Sequence, residues 1–328
     1  MDPQDEEPEP EPAATPEAET PPGPGRVSPT PGPLHYTQDR ALPPPAGPVD
    51  PAPDRVEATP AVSPIMITKE HKRFIEFADA VRRERYVGLC FGAPGVGKTR
   101  SARTYSNWDQ LAPHLHGTRA SGSEHTDAGT SEVLAARAIM YTPKVHNSPH
   151  NIDKEISYLH DRLGWTVELM LHPGRGVDGL PSGAGQAELL LVDEADRLKT
   201  AGLEQLRDHH DRTEVGLILI GMPGIEKRLA RYPQLYSRVG FVHHYKPLST
   251  GEQAFVLAKH WPHLHLDDPD DFATTEAIAA ITRITNGNFR LTSRLIAQIE
   301  RILRINQLTL VTKEVVEAAR ENLVIGIM

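Results

Sequence analysis

Disulfide bonds and membrane spans are both excluded by what this sequence lacks. The chain has one cysteine in 328 residues, Cys90, which rules out an intramolecular disulfide and suits a reducing compartment. Its longest apolar runs, such as 189–192 and 217–220, are far shorter than the ~20 residues that a membrane helix needs. The first residues show no charged segment followed by an apolar one, so no signal peptide is expected. We therefore expect a cytoplasmic protein that does not enter a membrane.

Large apolar residues are scarce in residues 1–64, whereas proline is abundant there. This segment holds 19 of the 30 prolines, 12 of the 44 acidic residues and 3 of the 35 basic residues. Such a composition cannot bury enough apolar surface to offset the entropy lost on ordering, so we predict a disordered tail rich in Pro and Glu. The remaining chain has 32 acidic and 32 basic residues. A nucleic-acid site on it would therefore be a local patch.

Short apolar runs alternate with helical patterns from residue 65 to residue 249. This alternation predicts an α/β domain with a parallel sheet and helices on both faces. From residue 250 to residue 328 only helical patterns remain, which predicts a small C-terminal helical lid. A helix is expected over 68–85 because Phe74, Phe77, Ala78 and Val81 recur at helical spacing. The predicted strands span 86–91, 136–141, 166–171, 188–192, 215–221 and 240–245, and another helix is predicted over 152–163.

A glycine-rich loop follows the first predicted strand and precedes a predicted helix. Glycines let backbone N–H groups turn towards phosphates, Lys98 can reach the β- and γ-phosphates, and the Thr99 hydroxyl can bind Mg²⁺. The strand-loop-helix context makes a chance match rarer. The sequence therefore predicts a site for ATP and Mg²⁺. The loop matches the Walker A pattern G-x-x-x-x-G-K-[ST] with Gly92, Ala93, Pro94, Gly95, Val96, Gly97, Lys98 and Thr99.

Two acidic residues, Asp193 and Glu194, follow the predicted strand over 188–192. A buried strand would carry Asp193 to the magnesium ion, which it would bind through water. Glu194 could act as the general base towards the attacking water. A plain strand end would explain an apolar run before two acids if it stood alone. After a Walker A loop, the metal-binding interpretation is favoured.

The order of these motifs resembles the AAA+ superfamily, and several segments resemble its bacterial DNA-transposition helpers, the TniB and Mu B-like ATPases. The resemblance extends over about residues 68–326 and depends on the segments 91–99, 189–196, 217–229, 232–241 and 287–306. It implies an AAA+ fold, ATP hydrolysis, and a homo-oligomer, as a ring or a filament, on duplex DNA. DNA would be held by its phosphates with weak sequence preference. The implied partner is a transposase or another DNA-recombination protein.

Within this resemblance, three positions decide how the nucleotide would be handled. Arg238 stands where the family has an arginine finger, which reaches the γ-phosphate held by the neighbouring subunit. A surface arginine paired with a carboxylate is the alternative explanation. Arg290 stands at the sensor 2 position, which contacts the nucleotide within its own subunit. The strand over 215–221 is followed by Met222, where the family has a polar sensor 1 side chain. A backbone group or a water would have to replace it, or hydrolysis is slow without a partner.

The helix predicted over 288–305 has one apolar side and one basic side. A solvated charged face explains the basic side as well as a DNA or partner surface does. On a helical projection the apolar side holds Leu295, Ile296, Ile299, Ile302 and Leu303, and the basic side holds Arg290, Arg294, Arg301 and Arg304 within about 80°.

Two other functions are compatible with the same motifs. A helicase loader or replication-initiator-like ATPase would have the same nucleotide site, although no helix-turn-helix pattern is recognisable near the C-terminus. A nucleotide-dependent signalling or defence switch would use ATP as a structural ligand, and Glu194 and Arg238 argue against such an inactive site. A neighbouring gene for an integrase-like transposase would favour the transposition role.

Overall fold

A five-stranded sheet lies at the centre of the computed structural model, which describes residues 66–116, 137–172, 186–268 and 270–323. Every neighbouring pair of strands is parallel, as the sequence predicts. The spatial order is β2-β3-β4-β1-β5. The predicted tail over 1–64 lies outside the described residues. The strands are β1 Val87–Phe91, β2 Ala138–Tyr141, β3 Leu189–Val192, β4 Gly216–Gly221 and β5 Val239–His244.

Helices cover both faces of this sheet. All four residues of β3 are at most 1% exposed, although successive side chains of a strand point to opposite faces. Only a sheet covered on both sides can bury such a strand, so the predicted architecture is confirmed. At the edge, β5 alternates between partly buried and exposed residues, and Val242 is 60% exposed. Cys90 in β1 is a buried core residue, and burial raises the pKa of its thiol to about 12.

The first helix packs closely on β1. Its predicted apolar residues Phe74, Phe77, Ala78 and Val81 are all buried. A Cβ atom at Gly88 would lie 2.5 Å from Cγ2 of Val81, so a side chain there would push the helix off the sheet. The helices are α1 Lys69–Glu84, α2 Lys98–Tyr105, α3 Trp108–His116, α4 Pro149–Leu171, α5 Thr200–Thr213, α6 Ile225–Leu229, α7 Pro233–Tyr236, α8 Thr250–His260, α9 Phe272–Thr285, α10 Phe289–Asn306 and α11 Lys313–Glu321.

The predicted strand over 166–171 is wrong, because these residues form the last turns of α4. A short apolar run does not distinguish a strand from a buried helical segment by itself. The helical spacing of the preceding buried residues continues unbroken through Val167, which is 1% exposed. The helix predicted over 152–163 is therefore longer than expected at both ends. The residues that set this spacing are Ile152, Ile156, Leu159, Leu163 and Val167.

A second apolar core belongs to the C-terminal helices α8 to α11. It is made of buried residues between Leu257 and Ala319, which confirms a helical lid. Gln253 is buried within the lid and its amide donates to Thr285 Oγ1 at 2.5 Å and to Thr292 Oγ1 at 3.1 Å. These bonds tie α8 to α9 and α10. The exact limits 65–249 and 250–328 for the two domains stay a prediction. No helix among the described residues is long and apolar enough to cross a membrane.

Two buried histidines face each other where α4 packs on α5. His160 and His209 are 6% and 4% exposed, and their ring centroids are 5.0 Å apart. The Nε2 atom of each ring has no hydrogen-bond partner within the described ranges. Burial lowers the pKa of both imidazoles, and that of His160 falls to about 4. Both rings are therefore neutral in the folded protein at pH 7.

We predict that this pair destabilises the fold as the pH falls from 6.5 towards 4. In that window an unfolded histidine binds a proton that folded His160 does not, so the free energy of unfolding decreases. For His160 alone the loss is about 2 kcal/mol at pH 5 relative to pH 7.5. Urea unfolding at both pH values should show a smaller loss for His160→Leu than for the unsubstituted protein. The exposed His150→Leu is the matched control, and equal losses in both variants would contradict the prediction.

Candidate active site

The glycine-rich loop joins the end of β1 to the start of α2. Gly97 has φ 118°, in the left-handed region that favours glycine, and it directly precedes the first residue of α2. A Cβ atom at Gly92 would lie only 2.2 Å from the backbone oxygen of Tyr245, which follows β5. At one end the loop is thus packed against the backbone segment that follows β5, and at the other end it makes a sharp turn. Backbone N–H groups at the start of α2 are then available to an anionic ligand.

Lys98 folds back over this loop. Its side chain is buried, and its Nζ atom donates to the carbonyl oxygens of Gly92 at 2.6 Å and Ala93 at 2.8 Å. Burial lowers the pKa of the Lys98 ammonium because its charged form loses hydration. The two carbonyls compensate part of that loss. The lysine is therefore held at the loop, where the sequence places its phosphate contact.

Asp193 lies next to Thr99, although the two are 94 positions apart in sequence. Because β4 alone separates β3 from β1, the carboxyl ends of both strands meet at the same edge of the sheet. The Thr99 side chain hydrogen-bonds the buried Asp193 carboxylate, which also accepts from the Glu194 N–H at 3.0 Å. Burial raises the pKa of Asp193, and these two hydrogen bonds oppose the rise. Two oxygen groups suited to Mg²⁺ are thus adjacent.

Glu194 takes a left-handed backbone conformation with φ 50° and ψ 42°. This conformation costs a non-glycine residue about 1 to 2 kcal/mol. Its carboxylate forms an ion pair with Arg197, and the Arg197 guanidinium also donates to the Pro143 carbonyl oxygen at 3.0 Å. Glu194 is thereby half-exposed within the cleft and linked to the loop after β2.

These residues line one cleft of about 570 Å³, within the size range of small-molecule sites. Five basic side chains and three carboxylates face it, so the excess charge is positive and suits a polyphosphate. Sequence reasoning did not place Arg100, Arg103, Asp196, Arg197, Phe289 or Ser293 here. The residues in common with the prediction are Pro94, Gly95, Gly97, Lys98, Thr99, Asp193, Glu194 and Arg290.

The lid touches the glycine-rich loop directly at the start of α10. The Arg290 N–H donates to the Gly95 carbonyl oxygen at 3.1 Å, and the Asn288 side-chain amide donates to the Pro94 carbonyl oxygen at 2.7 Å. Asn288 also caps α10, because its Oδ1 accepts from the Leu291 N–H. Arg290 therefore lies at the cleft, as the sensor 2 interpretation requires.

The end of β4 has no polar side chain at the cleft, because Gly221 and Met222 stand there. Asp196 supplies the polar group instead. Its Oδ2 accepts from the Met222 N–H at 2.7 Å, which ties the segment after β3 to the end of β4. The signal for this residue is present in the sequence as the third position after Asp193, but its contact with a strand 26 residues away is visible only in the structure.

Arg238 is not among the residues that line this cleft. It precedes β5, and its Nε and Nη2 atoms donate to the two carboxylate oxygens of Asp211 on α5 at 2.5 and 2.6 Å. Its Nη1 atom also donates to the Gln234 carbonyl oxygen. The side chain is 32% exposed. Within one subunit the structure thus shows the carboxylate pairing, and a role in a neighbouring subunit stays a prediction.

Residues 81–229 match the family described as AAA domain. A potential ATP-binding protein of Staphylococcus aureus is 43% identical over 270 residues, which cover 79% of this chain and 96% of that protein. The structure of the Aeropyrum pernix ORC1 protein in complex with DNA has a TM-score of 0.51 and 17% identity, over 80% of this chain and 68% of that one. A RuvB structure from Thermotoga maritima has a TM-score of 0.49 and 17% identity, over 80% and 71% of the two chains.

The two kinds of similarity support different statements. At 17% identity the ORC1 structure supports the fold alone. The Staphylococcus aureus protein is similar over most of both chains, and the match to the AAA domain includes the glycine-rich loop and the acidic strand end. The chain belongs to the AAA family of P-loop ATP-binding proteins.

Proposed function

We propose that this protein hydrolyses ATP with the help of Mg²⁺. The observation that supports this most strongly is that Lys98, Thr99, Asp193 and Glu194 meet in one positively charged cleft. Lys98 would bind the β- and γ-phosphates, and Thr99 and Asp193 would hold the metal ion directly and through water. When bound, Mg²⁺ neutralises charge that develops on the phosphates. Gly92, Ala93 and Val96 complete the loop that surrounds them.

Glu194 would remove a proton from the attacking water. Its carboxylate is exposed to the cleft, and its ion pair with Arg197 fixes its direction. A general base must accept a hydrogen bond from water, so this ion pair has to leave one carboxylate oxygen available. The second link, from Arg197 to the Pro143 carbonyl oxygen, keeps the guanidinium on the β2 side of the cleft. Glu194 and Arg197 together would then position the water beside the γ-phosphate.

We predict that Asp196→Ala lowers ATP turnover by about tenfold to a hundredfold, because small displacements of a catalytic group cost that much. Loss of the carboxylate would release the Met222 N–H and loosen the segment that carries Glu194. Asp196→Asn keeps an oxygen that accepts from this N–H and should retain most of the turnover. ATP affinity should change little in either variant. Equal turnover in the Ala and Asn variants would remove Asp196 from this positioning role.

Assembly of subunits would complete the catalytic site. Arg238 does not line the cleft of its own subunit, and the family places an arginine finger at this position. In a homo-oligomer, as a ring or a filament, Arg238 would leave Asp211 and approach the phosphate held by the next subunit. Arg290 would contact the nucleotide that is bound to its own subunit, from the lid. Hydrolysis would then depend on protein concentration.

Duplex DNA and a transposase or other recombination protein are the partners that we propose. The support is the likeness to the TniB and Mu B-like ATPases, together with the fold shared with the Aeropyrum pernix ORC1 protein, which was solved in complex with DNA. DNA would bring subunits together through its phosphates. ATP binding and hydrolysis would regulate this assembly, which we expect to take place in the cytoplasm. Turnover measured over protein concentration, with and without duplex DNA, tests this proposal. A rate per subunit that stays constant under both conditions would contradict it.

A nucleotide-dependent switch is the second candidate, and the pairing of Arg238 with Asp211 favours it. In such a protein the arginine is structural, and ATP stabilises one conformation without rapid turnover. A helicase loader or replication-initiator-like ATPase shares the nucleotide site with the transposition role and differs in its protein partner. Stable ATP binding with no turnover at any protein or DNA concentration would support the switch.

A further inference from the structure

The arginines of helix α10 differ from nearly all others in the described ranges. Most arginines there bond to a carboxylate or a backbone carbonyl, as Arg212 does to Asp153 and Asp208. The guanidinium groups of five have no hydrogen-bond or ion-pair partner within the described ranges, and four of these five lie on α10. The five are Arg231, Arg290, Arg294, Arg301 and Arg304.

The geometry of α10 places these arginines in one row on its outer side. Its opposite side is buried in the core of the lid. Arg294, Arg301 and Arg304 are exposed, and their positions differ by at most about 80° around the helix axis. They extend over ten residues, or about 15 Å. Arg290 continues the row to the nucleotide cleft, so the row begins at the site of ATP.

Charge on this helix is also one-sided. Glu300 is the single acidic residue of α10, and its Oε1 pairs with His263 Nε2 at 2.8 Å on the neighbouring 3₁₀ turn. Unlike most other arginines of the described residues, those of this row are therefore not paired with a carboxylate. The chain beyond residue 64 has equal numbers of acidic and basic residues, so the row is a local excess rather than part of a basic protein. A polyanion is the ligand that such a row complements.

We propose that the outer face of α10, formed by Arg294, Arg301 and Arg304, binds the phosphate backbone of duplex DNA. This inference rests on the proposed function, in which DNA is the assembly partner. One DNA strand rises about 3.4 Å per phosphate along the duplex axis, so the ~15 Å row is as long as about four base-pair steps. Arginine binds phosphate through parallel N–H groups, and no base contact is needed. The face therefore predicts binding with little sequence preference.

The test compares two triple variants of the full chain. Arg294→Gln/Arg301→Gln/Arg304→Gln removes the row and leaves Arg290 in the cleft. Arg83→Gln/Arg283→Gln/Arg320→Gln removes three exposed arginines that pair with glutamates elsewhere, so both variants lose the same net charge. Binding of a 30-base-pair duplex is measured by fluorescence anisotropy over a range of salt concentrations. ATP affinity and the melting temperature establish that each variant is folded.

We expect the α10 variant to bind DNA at least about tenfold more weakly, with a salt dependence reduced by about three ion equivalents. The control variant should keep most of the DNA affinity and most of its salt dependence. Equal behaviour of the two variants, with DNA binding by the unsubstituted chain intact, would overturn this inference alone. Absence of DNA binding by the unsubstituted chain would overturn it together with the proposed DNA partner. Loss of poly-glutamate binding with unchanged DNA binding would assign the face to an acidic protein and would also overturn it.

A single substitution keeps the result decisive if the triple variant is unstable. Arg301→Glu reverses one exposed charge in the middle of the row, and Arg301→Lys keeps the charge. The Glu variant should weaken DNA binding, and the Lys variant should restore most of it, because phosphate attraction depends on charge. Equal DNA affinity of the Glu and Lys variants would contradict the proposal that this face of α10 binds DNA.

Discussion

Lys98→Ala should lose ATP binding, whereas Glu194→Gln should keep ATP and lose its turnover. Lys98 is a buried cation at the glycine-rich loop, and its removal would leave the phosphates of ATP without the positive charge that we propose to bind them. Glu194 lines the cleft but lies outside the glycine-rich loop that would hold the phosphates, so an uncharged isostere should leave the phosphate contacts in place. Loss of the general base should reduce turnover by about 10² to 10⁴. ATP affinity from calorimetry and phosphate release under saturating ATP provide the two measurements.

Lys144→Ala is the matched control for the lysine, because Lys144 is exposed and pairs with Glu155 away from the cleft. It should leave both ATP affinity and turnover close to those of the unsubstituted protein. The assignment of roles is refuted if Lys98→Ala and Glu194→Gln lose ATP binding to the same degree. It is also refuted if Glu194→Gln turns over ATP at the normal rate.

Arg238→Ala and Lys98→Ala subunits should each be nearly inactive alone and should recover turnover when mixed. The first keeps a complete cleft, and the second keeps the arginine that would act on a neighbour. An arginine supplied across a subunit boundary is worth about 10³ to 10⁵ in rate for related phosphoryl transfers. At equal proportions about a quarter of the head-to-tail interfaces combine an intact cleft with an intact arginine. Recovery should therefore approach that fraction of the normal rate.

Asp211 provides the control for this experiment. In the free subunit it holds Arg238 through two hydrogen bonds, and the guanidinium lowers the pKa of its carboxyl group. Asp211→Ala should release the arginine and leave hydrolysis in the assembled protein normal or faster. If Arg238 were only a structural partner of Asp211, both variants would lose stability and neither would affect turnover through a neighbour. Failure of mixed subunits to recover, despite demonstrated co-assembly, would exclude the arginine-finger role.

Much of the α/β fold was accessible from the sequence because its strands are short, apolar and separated by strong turn signals. The strand before the glycine-rich loop is an example, since Gly92 marks its end and Lys98 marks the beginning of the next helix. The run over 166–171 was misinterpreted for the opposite reason. It contains β-branched and apolar residues like a strand, yet its burial follows the helical spacing set by Leu163 and Val167. Tertiary packing, and not local composition, determines the conformation of this run.

The candidate site divides in the same way. Lys98 and Thr99 belong to one local motif and Asp193 to another, and both motifs follow strands of a parallel sheet, so their convergence could be predicted. Asp196 and Arg197 act through contacts with the Met222 N–H and the Pro143 carbonyl oxygen, on chain segments that no local pattern links to them. The partner of Arg238 is equally remote, because Asp211 lies on α5. Side-chain pairing across elements is a property of the folded chain, and one sequence carries no direct signal of it.

The contact between the glycine-rich loop and the start of α10 attaches this helix of the lid at one end, so a small tilt there would move its far end by a larger distance. Asn288 and Arg290 attach one end of the helix to the carbonyl oxygens of Pro94 and Gly95. The helix has 18 residues, so it is about 27 Å long. A tilt of about 10° at the attached end moves the other end by about 5 Å, which is close to the rise of one helical turn. A displacement of the loop too small to disturb the sheet would thus be larger at Arg301 and Arg304.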